Sequence, residues 1–420
     1  MMTRIRWNRV FLCFLTSATA SWFATAVLGQ GVQHAYAPQA GPGYVQPASC
    51  NDCSAYGCPD GSCGVLGGLG GGGMMGGGMM GPGMMAGPIS GMVGALGNAE
   101  MGLPYGNGGP SLYNPNGPMG TGGCCTPRWF DFEASWLYWN REFDDNLAFS
   151  SEGILGPEAL SASDLDISNT SGFRITGAYL IGPATNIEAT YFGGFNWNSS
   201  ASVNSGDNLY SVFSDFGTNP FNGFPETDAA YYHSVAFSSE LDNGELNVRH
   251  RWVSASCLVH SSFLVGVRYF RLADDLIYRT RTDLSQLDYH VKTDNDLVGV
   301  QLGGDMALCI TPRFKIAGDA KAGLYGAHSK QKTWAPSVAF SELESASDAA
   351  FVADAGLNGI FRVSPKMAIR AGYQVLFVSG VATAIENFNT NSPLTARTAF
   401  VNNNDDVVFH GANVGIEWTW

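Results

Sequence analysis

From residue 128 onward the chain alternates. In RWFDFEASWLYW, Phe130, Phe132, Ala134, Trp136 and Tyr138 fall on one side of an extended strand, and Asp131, Glu133 and Ser135 on the other. This is the period of two expected of a half-buried β-strand. The same arithmetic holds in GFRITGAYL, where Phe173, Ile175 and Tyr179 oppose Arg174 and Thr176. It holds again in NIEATYF, where Ile187, Ala189 and Tyr191 oppose Glu188 and Thr190. Further alternating runs follow at ELNVRHRW, SSFLVGVRYF, DLVGVQLGGDM, RFKIAGDAKAGLYG, FVADAGLNGIFRV, MAIRAGYQVLF and HGANVGIEWTW. The pattern predicts ten strands.

The connections alternate short and long. IGPAT, the stretch near SCLVH, CITP and VSPK are short, whereas 141–171, 196–243, 272–294, 327–347 and 379–405 are long. An even number of antiparallel strands with short turns at one end and long loops at the other is the layout of a bacterial outer-membrane barrel. No apolar run after the N-terminal region reaches the roughly 18 residues of a spanning helix, so any crossing is by strands. A closed barrel pairs every backbone group and leaves no sheet edge. The predicted fold class is therefore all-β, a transmembrane antiparallel β-barrel of about ten strands over 128–420. Period-two strands also build soluble sandwiches, but two features favour the membrane. Charges stand singly on one face, as with Lys315, Asp319 and Lys321 opposite Phe314, Ile316 and Leu324. Aromatics gather near strand ends, at Trp129, Trp139, Trp252, Tyr269, Tyr325, Phe377, Trp418 and Trp420, as membrane-interface girdles would.

The N-terminal third is different in kind. Arg4, Arg6 and Arg9 precede an apolar stretch from Val10 to Leu28, with Ala24 and Ala26 as an A-x-A-like cleavage site, which predicts a secretory signal peptide over 1–29. Its removal leaves 19 Lys and Arg (22 less three) against 36 Asp and Glu, a balance of 19 − 36 = −17. Nucleic acid is thereby excluded as a partner, since binding phosphate needs a basic surface. Residues 30–127 carry only Asp52, Asp60 and Glu100 as charges, and their centre repeats paired methionines at 74/75, 79/80 and 84/85. Such a stretch has too few large side chains to offset the entropy of ordering glycine, and is read as a mostly disordered low-complexity segment. Within it, Cys50, Cys53, Cys58 and Cys63 are candidates for local disulfides in an exported protein. Their spacing matches no zinc pattern, and no metal or cofactor is assigned.

Eight strands enclose an interior that side chains just fill, and wide channels use sixteen or more, so ten strands predict a narrow or plugged lumen. The polar row that would line it comprises Asp131, Glu133, Arg174, Glu188, Asn247, Arg249, Arg251, Arg268, Asp305, Lys315, Asp319, Lys321, Asp354, Asn358, Arg362, Arg370, Gln374, Asn413 and Glu417. Nearly balanced acids and bases in that space fit either a selective narrow pore or an ion-pair network that closes it. The outer loops are one-sided: Glu142, Asp144, Asp145, Glu152, Glu158, Asp164 and Asp166 have no Lys or Arg among them. They are either simply solvated or sites for divalent cations.

An enzymatic barrel would need a carboxylate and imidazole at the outer rim. Asp274, Asp275 and His290 are the candidates, with Asp405, Asp406 and His410. No G-x-S-x-G surrounds any serine, and no enzyme is predicted. Cys257 and Cys309, beside adjacent short turns, are a further candidate disulfide.

Three segments, GFRITGAYLIGPATNIEATYFGGF, LVGVRYFRLADDL and FHGANVGIEWTW, together resemble the bacterial outer-membrane barrels grouped as the beta-barrel porin-7 family over roughly 128–420. The resemblance implies an outer-membrane location, contact with outer-membrane lipid, and a porin role that is itself inferred from barrel architecture. It also implies that an aromatic final residue, here Trp420, addresses the chain to the barrel-assembly machinery. The expectation for function is a porin-like passive channel for small solutes or ions with narrow conductance, or else a structural or adhesive surface protein anchored by a plugged barrel.

Overall fold

The computed structural model describes residues 130–419 apart from 143–146, 183, 221, 223, 254–257 and 389–399. The expected signal peptide, the Cys/Met-rich segment with Cys50, Cys53, Cys58 and Cys63, and also Trp129, Cys257 and Trp420 lie outside the described residues.

Ten strands close into one antiparallel barrel: β1 (Phe130–Glu142), β4 (Thr170–Leu180), β5 (Thr185–Ser211), β6 (Ala230–Val253), β7 (Val259–Arg281), β8 (Gln286–Thr311), β9 (Phe314–Ala335), β10 (Phe340–Ser364), β11 (Met367–Val381) and β12 (Asp405–Thr419). β1 pairs with both β4 and β12, and β5 pairs with β6, which closes the circle. A small hairpin, β2 (Ala148–Glu152) and β3 (Glu158–Ser161), extends the edge of β5 above β4.

The strands are longer than a membrane demands. β5 to β10 run 22 to 27 residues each, whereas about 9–11 suffice to cross a bilayer. Two connections expected to be long loops, 272–294 and 327–347, are therefore mostly strand. β7 and β8 are joined only by 282–285, and β9 and β10 by 336–339. Much of 196–243 is likewise strand, leaving 212–229 as the connection.

The reason these stretches escaped the pattern is that the strands exchange their faces. On β8 the outward row reads Val298, Val300, Leu302, Met306, Leu308 and Ile310 toward the short-turn end, all exposed. Above Val298 the same row reads Gln286, Asp288, His290, Lys292, Asp294 and Asp296, while the inward neighbours Leu287, Tyr289, Val291 and Leu297 become fully buried. On β7, Phe263, Val265, Val267 and Tyr269 face out, and beyond them Phe270, Leu272, Leu276 and Tyr278 face in. The lower part is thus apolar outside and polar inside, and the upper part the reverse. The twelve steps from Val298 to Ile310, at roughly 3.3 Å each and tilted by about 45°, rise about 28 Å, close to the height of a lipid-facing band.

The exchange corrects two aromatic assignments. Trp139 and Tyr325 are not interface residues; both point inward and are almost fully buried. Trp139 sits above the level where β1 turns its apolar row inward and stacks on Phe195 at 5.0 Å between ring centroids. The Tyr325 ring lies across Gly299 and Gly323, where a Cβ would come within 3 Å of it. Trp252 and Trp418 face outward near the short turns. At the opposite edge of the belt, Tyr191 and Tyr269 also face out and donate to Asp242 and Asp296 at 2.7 and 2.6 Å.

β5 makes its exchange through a bulge. Its register with β6 shifts between Phe192 and Phe195, and Gly194 takes φ +77, which only glycine adopts without strain. The bulge turns Phe192, Phe195 and Trp197 all inward.

The upper interior is an apolar core. Phe149 from β2, Phe213 and Phe224 from the 212–229 connection, Tyr278, Tyr289 and Phe388 pack ring against ring at 4.8–6.5 Å. Phe388 is carried in by the strap 382–388. Asn295 holds the strap by donating to Ala382 O and accepting from Ala382 N, both at 2.8 Å, and Gln331 donates to Asn387 O at 3.2 Å.

His233 is fully buried in this core, its Nδ1 3.1 Å from the Tyr278 hydroxyl, and burial depresses it from the usual imidazole range to about 4. A base whose folded value lies below its unfolded value of about 6.5 stabilises the fold fully above that pH and progressively less as pH falls toward 4. The wild-type chain is expected to lose about 3 kcal/mol more than His233→Gln between pH 7 and pH 4, read from urea-unfolding curves at both pH values. Equal losses in the two proteins would show that His233 is not the group responsible.

Candidate functional site in the barrel interior

Below the apolar core the inward row is ionic, and the register of neighbouring strands decides which charges meet. Nearest the short turns, Arg249 on β6 is bidentate to Glu188 on β5 (Nε–Oε2 2.9 Å, Nη2–Oε1 3.0 Å) and also bonds Asp305 on β8. Ser262 donates to the same Asp305 carboxylate. Arg251 reaches Asp131 at 3.3 Å. On the opposite wall Arg370 contacts Glu133 on β1 at 2.5 Å and Glu417 on β12 at 3.3 Å, and Ser135 donates to Glu133 at 2.8 Å.

Midway up, five strands contribute to one cluster. Glu245 on β6, whose side chain has no exposure, accepts from Lys321 on β9 at 2.9 Å and from Gln301 on β8 at 2.8 Å. Arg268 on β7 bonds Asp354 on β10 at 2.8 Å, lies 3.8 Å from Glu245 and is fixed by Asn243. Gln301 also donates to Asn247 at 2.7 Å. Asn358 donates to Asp319 at 3.1 Å, and the Arg174 guanidinium lies 5.2 Å over the Phe192 ring. Gln374 and Asn413 are buried inward, and Lys315 and Arg362 stand at the short-turn mouth.

One pairing was not read from the sequence, which named Asp274 only as a rim carboxylate. Arg141 and Asp274 form a buried bidentate pair at 2.5 and 2.8 Å within the apolar core, with Leu272, Phe270 and Trp139 on its short-turn side. The guanidinium is sandwiched between Phe237 and Phe409 at 5.2 and 5.7 Å. Parity was the available signal, since Arg141 continues the row of Asp131 and Glu133, and Asp274 that of Arg268. Level with the pair and on its short-turn side, Trp139, Phe195, Trp197 and Phe409 stack in series at 5.0–5.1 Å, and Trp197 donates to Trp139 O.

The rim candidates divide between the two faces, with Asp275 on the outward face, where its charge acts on His290. Asp274 faces inward, whereas His290 faces outward against Trp334. His410 lies outside, 3.1 Å from Glu142, and Asp405 accepts from Thr383 at 2.5 Å. Cys309 is buried with its Sγ 3.5 Å from His260 Nε2. Among the described residues no group of three or more His, Cys, Asp or Glu side chains converges as metal ligands.

The family model of the Legionella pneumophila major outer membrane protein precursor matches residues 123–420. The chain belongs to that family. It is accordingly a protein of the bacterial outer membrane, where the apolar belt meets lipid. Among curated proteins none matches the chain. Similar solved structures include the Escherichia coli outer membrane protease OmpT (11% identity, 70% of this chain, 98% of that chain, TM-score 0.41). The translocator domain of autotransporter NalP from Neisseria meningitidis (11%, 70%, 90%, 0.35) and the Ralstonia pickettii toluene transporter TbuX (8%, 70%, 90%, 0.34) are others. At such identities and scores these are likenesses only.

Removing one member of a buried ionic cluster strands the others without water. Glu245→Ala is expected to cost about 3–5 kcal/mol of unfolding free energy, and Glu245→Ala with Lys321→Ala less than the sum of the singles. Additive losses in urea titration would mean that the two side chains act separately.

Proposed function

We propose that the protein is a structural outer-membrane barrel without catalytic activity, which carries its extended strands and loops beyond the lipid on a filled, non-conducting interior. One observation carries the reading. From the Glu245 cluster through the Arg141–Asp274 pair to the Phe388 strap, successive layers of inward side chains are buried and bonded to one another across the lumen. Arg268 and Asp354 belong to strands three places apart in the sheet, so their 2.8 Å contact spans the interior and does not merely run along its wall. Opening a path would separate paired charges or expose packed rings, and either is costly.

The second reading is a passive channel of narrow conductance for small solutes or ions, as the resemblance to porin-7 barrels implies. The partial exposure of Asp305, Glu417 and Arg251 at the short-turn end favours it. Single-channel recording of the refolded full chain in a planar bilayer separates the two. A heat-resistant folded barrel that inserts without stable steps is the expected result. Stable steps whose cation-to-anion selectivity changes in Lys321→Gln or Glu133→Gln would overturn it in favour of the channel.

A further inference from the structure

Charge on the outer wall above the lipid is divided by strand. Every Lys and Arg that faces outward there among the described residues stands on three neighbouring strands: Arg271, Arg279 and Arg281 on β7, Lys292 on β8, and Lys330 and Lys332 on β9. The outward rows of β6, β1 and β12 carry Glu240 and Asp242, Glu142, and Asp406 instead. In a chain whose formal balance is −14, the cations are thus gathered on one side.

Part of that charge is matched and part is not. Arg271 pairs with Asp294 and Arg279 with Asp288, each at 3.3 Å, and Asp296 accepts from Tyr269. Lys292 has Asp275 across from it on β7, but its neighbour on β9 is Lys332. Like charges set directly opposite on a sheet repel. Asp294, beside Lys330 on β8, is the carboxylate that Arg271 takes. Neither Lys330 nor Lys332 makes an ion pair among the described residues, and their neighbours on β10, Ser345 and Leu343, bring no carboxylate. Lys332 is held in place, its Nζ 4.9 Å over the Trp334 ring, which stacks on His290 at 4.6 Å with 9° between the planes. The face thus sets six cations against four carboxylates, and the surplus falls on Lys330 and Lys332.

We propose that this face binds the phosphate-bearing sugar headgroup of a glycolipid in the surrounding leaflet, with Lys292, Lys330 and Lys332 holding the phosphate. Position commits the site to lipid, since the face continues the lipid-facing rows without a break, from Tyr269 to Arg271 on β7 and from Val298 to Asp296 on β8. The four steps from Val298 to the level of Lys330 rise about 9 Å and the six to that of Lys332 about 14 Å, at roughly 3.3 Å each and a tilt of about 45°. A phospholipid headgroup layer adds only about 5–8 Å to the hydrocarbon on each side. Lys332 therefore stands above simple phospholipids, at the height of a headgroup built of sugars. A phosphate between Lys292 and Lys332 relieves their repulsion through charge-assisted hydrogen bonds to both. The acidic rows elsewhere on the wall repel the same headgroup and leave this face as the one that accepts it. The site is independent of conduction, because it lies on the outer wall.

The test is calorimetric titration of the full chain, folded in non-ionic detergent, with rough lipopolysaccharide that bears its phosphates, at constant ionic strength. Saturable binding is expected, weakened at least tenfold by enzymatic removal of the phosphates and at least tenfold in Lys330→Gln with Lys332→Gln. Arg313→Gln with Lys366→Gln, which removes the same charge at the short-turn end, is expected to leave binding unchanged. Folding of each variant is checked by heat-modifiable migration, and Lys332→Gln alone serves if the double variant does not fold. Phosphatidylglycerol and inositol hexakisphosphate, titrated in parallel, are expected to bind at least tenfold more weakly. Equal affinity for phosphatidylglycerol would overturn the sugar headgroup, and equal affinity for the soluble hexakisphosphate would overturn a lipid as the source. Heats that do not saturate, binding indifferent to the phosphates, or equal weakening by the two double variants would overturn the site.

Discussion

A β-strand that crosses lipid and then continues into water must exchange its faces at the surface, and most of this barrel follows from that constraint. In lipid the outward row has to be apolar because no water solvates it, and the polar row can only point inward. Above the lipid the outward row meets water, so the apolar residues go to the inside and build a core of the kind soluble proteins have. β7 makes the exchange between Tyr269 and Phe270, β8 between Val298 and Leu297, and β1 near Leu137. Strands more than twice the length needed for crossing are sustained because the upper half has its own driving force.

The exchange also decides what fills the lumen. Ten strands leave more room than eight, and the inward row in the lipid half is polar, so ion pairs and amides bridge that space. Such pairs contribute little net stability, since desolvation offsets much of their attraction. They do impose order. Glu245 accepts from two strands, and Arg268 joins a third to a fourth, so strand register and interior closure depend on each other. The Arg141–Asp274 pair is a polar contact set within the apolar filling, its guanidinium bonded to carboxylate at its tip and covered by the faces of Phe237 and Phe409. Arginine suits that position because its planar cation can do both.

How much of this was legible follows from the same exchange. Period two placed ten strands, because alternation survives in any single window. The strand ends were misplaced because following one apolar row along β7 ends at Tyr269, although Phe270, Leu272, Leu276 and Tyr278 resume it on the other parity. Trp139 and Tyr325 were assigned by aromaticity near a supposed strand end, where parity would have put them inside. The meeting of Arg141 with Asp274, 133 residues away, depends on barrel closure and on the stagger of the strands between them, three one way round and five the other. No local pattern carries that information. The Gly193–Gly194 bulge is visible as a pair of glycines, but its effect on parity appears only in the register with β6.

The two ends of the barrel are consequently unlike. The long-loop end is filled by aromatic packing and by the strap that Asn295 holds, so its cohesion rests on apolar burial. The short-turn end keeps its ionic groups partly exposed, with Asp305, Glu417 and Arg251 between about a quarter and a third open. Nearest that end Arg249, Arg251 and Arg370 are matched by Glu188, Asp305, Asp131, Glu133 and Glu417, and the Glu245 cluster follows, where Arg268 and Lys321 are matched by Asp354 and Glu245. The two ends are thus separate environments, a partly exposed layer of paired charges at one and packed rings at the other, because the lipid half must carry its polar row inside and the upper half its apolar one.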